Sequence, residues 1–161
     1  MKPLVIIGYG NPLRSDDGIG WRAAHDLSQV WPAEAVRVEI AHQLAPEMAE
    51  WLAHAEYVIF IDASWGGSPG HIRSHPVYPN ASGPGAWTHH LTPETLLAAA
   101  QELYGNAPSA VLFSVSGLSF EHGESLSPVV NAVYPELLKR VKTLVDSRIA
   151  LGRPSRINAH A

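Results

Sequence analysis

The sequence predicts an α/β fold with a largely parallel sheet covered on both faces, on three observations. Strand-like apolar runs alternate along the chain with segments of helical period. Three of those runs, Leu4–Ile7 (LVII), Tyr57–Ile61 (YVIFI) and Ala110–Val115 (AVLFSV), are apolar at nearly every position, as in strands buried on both sides. Two of them end in a glycine turn or an aspartate, which would deliver polar groups to the carboxyl edge of such a sheet.

The elements follow in order. Leu4–Ile7 is the first strand, leading into Gly8-Tyr9-Gly10-Asn11-Pro12. A helix is expected from Asp16 or Asp17 to about Val30, its apolar stripe formed by Ile19, Ala23, Ala24, Leu27 and Val30, with Pro32 closing it. Val36–Ala41 (VRVEIA) alternates apolar and charged residues and belongs near a sheet edge. Pro46 suits the first turn of a second helix reaching Ala55. The next strand, Tyr57–Ile61, is the most apolar, belongs at the centre of the sheet and closes on Asp62. Residues 64–88 are rich in Gly, Pro and Ser, and only Ile72–Tyr78 resembles a strand. Thr92-Pro93 reads as an N-cap with proline at the first helical position of a helix to Tyr104. The strand Ala110–Val115, a polar loop from Ser116 to Ser125 and a last helix from Ser127-Pro128 to about Ile149 complete the chain. Residues 1–150 are expected to form a single domain and residues 151–161 a disordered tail, since GRPSRINAHA is polar and aperiodic.

Composition narrows the function. A net charge of −4 argues against nucleic acid as the main partner, because backbone phosphates call for a basic face. The absence of cysteine removes disulfides, thiolate catalysis and thiolate metal sites. With no secretory signal or membrane-length apolar run, the protein is expected to be cytoplasmic.

The chemistry concentrates in residues 4–20. A dinucleotide fingerprint would need a third glycine at position 13, which is Leu13. The adjacent carboxylates Asp16 and Asp17 would repel an anion at a helix N-terminus and suit a cation instead. Asp16 is expected to cap the first helix; two adjacent acids cannot both be the cap, so Asp17 needs another reason. Asp62 lies beyond the central strand, and His89-His90 lies just before the Thr92 helix. If the first and central strands are neighbours, Asp17 and Asp62 can converge at one sheet edge, and an Asp, Asp, His set suits a divalent transition metal. Structural readings compete: Asp17 could compensate a helix dipole, Asp62 could cap a turn, and His89 and His90 could be solvated. No G-x-S-x-G nucleophile elbow and no H-E-x-x-H helix occurs.

Four blocks resemble one family. GYGNPLRSDDGIG is similar to the N-terminal signature G-x-G-N-x-L-x-x-D-[DE]-x-x-G of the hydrogenase maturation endopeptidases. HQLAPEMAEWLAHAEYVIFIDAS resembles their second block, THHLTPETLL their histidine block, and FSVSGLSFEHGESLSP the late strand and loop. The resemblance runs from about residue 3 to 150. It implies a three-layer α/β/α domain of phosphorylase/hydrolase-like type around a five-stranded, mostly parallel twisted sheet. It also implies an endopeptidase of aspartic type that removes the C-terminal extension of a nickel–iron hydrogenase large-subunit precursor after nickel insertion. Asp17, Asp62 and His89 carry over as metal-binding and catalytic positions, Asp17 standing where some members have glutamate. Nickel supplied by the precursor, no organic cofactor, a monomeric enzyme and no nucleic-acid or membrane partner are the corresponding expectations. Asp16 is a candidate general base. Two other readings stand beside it. A scaffold could bind the precursor without cutting it, using the same three residues. A peptidyl-tRNA hydrolase also opens on a G-x-G-N-P turn, but it needs a histidine soon after the turn and a basic surface.

Overall fold

The computed structural model describes residues 2–81 and 91–152. In chain order the elements are β1 (Leu4–Tyr9), a 3₁₀ turn (Ser15–Gly18), α1 (Ile19–Leu27), β2 (Val36–Ala41), α2 (Met48–Ala53), β3 (Tyr57–Ser64), β4 (Ile72–Val77), α3 (Pro93–Tyr104), β5 (Ser109–Ser116) and α4 (Pro128–Gly152). The five strands form one sheet in the order β2-β1-β3-β5-β4. The first four run parallel and β4 pairs antiparallel with β5. The VRVEIA strand is indeed an edge and YVIFI the centre.

Two apolar layers hold helices to the sheet. On one face α1 and α4 pack over Leu4, Ile6, Ile59, Ile61, Phe113 and Val115. On the other, α2 and α3 pack over Val5, Ile7, Val58, Phe60 and Ala110. Each large side chain fully buried this way, Phe60 and Leu97 among them, contributes about 1.5–3 kcal/mol.

The structure departs from the sequence expectations at element ends. β1 and β3 continue beyond their apolar runs to Tyr9 and Ser64, because their backbones go on pairing with Ala41 and Ser116. Neither Asp16 nor Asp17 caps α1: both lie in the 3₁₀ turn, and Gly18 occupies the N-cap without a side-chain hydrogen bond. At its other end α1 stops at Leu27, where the Ser28 hydroxyl and amide donate to the His25 carbonyl. α2 starts two residues after Pro46, since Ala45 and Pro46 accept the Met48 and Ala49 amides in a preceding turn. α3 begins as expected: Thr92 Oγ1 accepts the Thr95 amide at 3.2 Å while Thr95 Oγ1 accepts the Thr92 amide at 2.9 Å. α4 runs through Gly152, so Leu151 and Gly152 are helical rather than tail, and residues 153–161 lie outside the described residues.

The glycines of the first motif permit close packing. A Cβ on Gly8 would lie 2.1 Å from the Gly20 carbonyl oxygen, and one on Gly20 would lie 2.2 Å from that of Ile61. Only glycine at both positions lets the start of α1 rest directly on β1 and β3.

Candidate active site

Register builds the site. β1 and β3 are direct parallel neighbours, with Gly8 opposite Ile61, so their following loops leave the same sheet edge together. On the α2–α3 face, Tyr9 follows the alternation of Val5 and Ile7, and Asp62 and Ser64 follow that of Val58 and Phe60. Ser114 and Ser116, opposite Asp62 and Ser64, lie on the same face. This surface is apolar along the strands and becomes polar where they end.

Asp17 is held by the turn it closes. Its Oδ2 accepts the Asn11 amide at 2.8 Å, while Asn11 Oδ1 accepts the Leu13 amide at 2.9 Å. Gly10, at φ +142°, sits so close to the Asp17 carbonyl oxygen that a Cβ would approach to 1.9 Å. The glycine turn therefore fixes where Asp17 stands.

Asp62 is half-buried at the end of β3, with its Oδ1 accepting the Ala63 amide at 2.7 Å. Burial pushes its carboxyl up to about 7, and the nearby negative charge of Asp17 adds to the rise. Hydrogen bonds from the Ala63 amide and the Tyr9 hydroxyl oppose it. The same burial and the Asp62 charge hold the Tyr9 phenol well above its ordinary range. Asp17 and Asp62 thus feel one another electrostatically, and among the described residues no Lys, Arg or His side chain forms an ion pair with either. Oxygen donors of this kind suit a cation. Two acids do not complete such a site, and no group of three His, Asp or Glu side chains placed to hold a metal occurs among the described residues. The expected third member, His89, and its neighbour His90 lie outside the described residues.

Asp16 has a role that the sequence reading missed. It is fully buried, and its carboxylate accepts the amides of Leu118 at 2.8 Å, Ser119 at 3.0 Å and Ser127 at 2.7 Å. The Ser127 hydroxyl also donates to it at 2.8 Å. Burial works against the charge, but these four hydrogen bonds prevail and hold the carboxyl below its ordinary value. Asp16 is neither a helix cap nor a free base: it anchors the loop between β5 and α4. Tyr9 also went unassigned in the sequence. The alternation Val5, Ile7, Tyr9 carried the signal that it shares a face with Asp62.

No family model matches the sequence, and no curated protein matches it. Solved structures do. The hydrogenase maturating endopeptidase HybD from E. coli superposes with a TM-score of 0.72 at 23% identity, over 91% of this chain and 93% of that one. The [NiFe] hydrogenase maturation protease HycI from Thermococcus kodakarensis gives 0.70 at 22% identity, over 90% and 93%. An endopeptidase from Escherichia coli gives 0.67 at 25% identity, over 90% and 93%. The chain has the fold of the hydrogenase maturation endopeptidases. Motifs and backbone therefore point to the same proteins. Within this endopeptidase fold, the strand-end acids Asp17 and Asp62 occupy adjacent positions on one sheet edge.

Proposed function

We propose that the protein is a hydrogenase maturation endopeptidase, removing the C-terminal extension of a nickel–iron hydrogenase large-subunit precursor after nickel is inserted. The observation that carries this reading is the Asp17–Asp62 pair, two mutually repelling acids with no ion-paired Lys, Arg or His among the described residues, on a fold shared with hydrogenase maturation proteases. A metal carried in by the substrate would relieve that repulsion.

Asp17 and Asp62 would hold the precursor's nickel, with His89 as the third ligand. Bound there, nickel would supply Lewis-acid polarisation of the scissile carbonyl or acidify a water. The chain's own residues set the stage. The Gly8–Gly10 turn and the Asn11 amide orient Asp17, and the Tyr9 hydroxyl and Ala63 amide orient Asp62. Asp16, saturated by loop amides, is not the general base. We take the enzyme to act as a cytoplasmic monomer without an organic cofactor; no described helix is long and apolar enough to cross a membrane.

Incubation with nickel-loaded and nickel-free precursor, read by mass, tests the proposal. Loss of the extension from the loaded form alone supports it, whereas binding without cleavage identifies a scaffold. Asp17→Ala, Asp62→Ala and His89→Ala are each expected to abolish processing without destabilising the fold. Normal processing by His89→Ala with loss in His90→Ala would move the third ligand to His90.

A further inference from the structure

Two hydroxyls lie beyond Asp62 on the same face of the sheet. Ser64 and Ser116 stand opposite each other in the β3–β5 ladder, one step past the Asp62–Ser114 pair. Both Oγ atoms are buried and neither has a hydrogen-bond partner among the described residues; Ser116 is only 1% exposed. Burying an unpaired hydroxyl opposes folding, and here two such groups adjoin the candidate catalytic acids.

A glycine loop lies over them. Gly66, Gly67 and Gly70 adopt φ of +80°, +73° and +84°, and a Cβ on Gly67 would come within 3.1 Å of Ser116 Oγ. The loop is tied down by the Gly70 amide donating to the Ser116 carbonyl at 2.7 Å and by Trp65 stacked on Phe120 at 4.1 Å. Residues 65–69 are exposed, so apart from the Trp65–Phe120 stack lifting this loop breaks few apolar contacts.

We propose that Ser64 and Ser116 form a subsite for the main chain of an extended peptide beside Asp62, reached when the Trp65–Gly70 loop lifts. This rests on the endopeptidase reading. A hydroxyl both donates and accepts, which matches the alternating N–H and C=O groups of a peptide. Two hydroxyls on adjacent strands, about 4.8 Å apart, can engage successive groups of one chain. The neighbouring Asp62 and Asp17 disfavour an anion, and a neutral main chain incurs no such repulsion.

The Ser64→Ala/Ser116→Ala variant tests the subsite on the full-length protein with nickel-loaded precursor and with a synthetic peptide spanning the cleavage junction. The expected result is a fall in kcat/KM of about tenfold, carried by KM, and a similar loss of peptide affinity by calorimetry. The melting temperature should equal or exceed that of the parent, since orphan hydroxyls are removed. Exchange at the Gly70 amide should rise when peptide binds, and unchanged exchange overturns the loop movement. Unchanged KM and peptide affinity overturn the subsite, leaving two orphan hydroxyls with no role in recognition. If the parent binds the peptide without cutting precursor, and the variant binds it tenfold more weakly, the subsite stands and the endopeptidase reading falls. If the parent neither binds nor cuts, both fall. Should the double variant misfold, Ser64→Ala alone, at the less buried position, carries the same readouts.

Discussion

Two aspartates show how environment divides one residue type into opposite roles. Asp16 is stabilised as an anion by three amides and a hydroxyl, so its contribution to folding is complete above the ordinary carboxyl range. That contribution is lost as pH falls through its lowered folded value. Asp16→Ala leaves three loop amides and a hydroxyl without the buried carboxylate that accepts them and should cost about 3 kcal/mol by urea unfolding at pH 7, with the deficit shrinking toward pH 2–3. Asp62 behaves in the reverse sense. Folding raises its carboxyl from 3.8 to about 7, so the folded protein keeps a proton that the unfolded chain releases. Stability contributed by that proton is present at acid pH and declines as pH climbs through this interval. Asp62→Asn is neutral throughout, so its melting temperature relative to the parent should rise from pH 5 to pH 8. A pH-independent difference between the two would contradict the raised carboxyl.

At the scale of elements, the close seating of α1 on the sheet is the most demanding packing. Gly20→Ala would drive a Cβ into the Ile61 and Tyr9 carbonyl oxygens, at 2.2 and 2.5 Å, so the helix must withdraw from two strands at once. A loss of about 3 kcal/mol is expected from the urea midpoint, against a few tenths for an exposed helical site such as Gln101→Ala. Elements were legible where one local rule decided them. Apolar runs marked β1, β3 and β5, the charged alternation of VRVEIA marked an edge, and Thr92-Pro93 marked the start of α3. The function of Asp16 was not legible, because its acceptors' partners are backbone amides 102 to 111 residues away, whose positions no side-chain pattern encodes. Asp17 and Asp62 could be singled out as acids at strand ends, but their proximity depended on β1 and β3 being neighbours. Tyr9 was readable in principle from strand parity once that neighbourhood was known.

For the whole molecule, four parallel strands send their following loops to one side, so the loops after β1, β3 and β5 form a single functional rim. Binding of nickel-loaded precursor should therefore slow hydrogen exchange in residues 10–17 and 62–64 and in the 117–127 loop. Amides at the opposite rim, near Ala35 and Glu56, should be unaffected. Protection confined to the opposite rim would place the substrate on the wrong side of the sheet. The edges of the sheet are less inviting to a partner strand. β4 carries Pro76 and exposed Arg73 and His75, while β2 carries the Arg37–Glu39 ion pair at 2.6 Å.

The anchoring of Asp16 also bears on transplantation. Leu13, Ser15 and Asp16 are laced to residues 119–123 by backbone bonds: the Ser15 amide reaches the Gly123 carbonyl, the Asp16 amide that of Ser119, and the Gly123 amide that of Leu13. Asp17 is the next residue along, so its aim depends on a loop contributed by the far end of the sequence. Grafting GYGNPLRSDDGIG alone onto another parallel-sheet scaffold should yield a floppy turn with a misdirected carboxylate. The smallest portable unit is discontinuous, comprising residues 8–20, the end of β3 and the segment from Ser114 to Ser127.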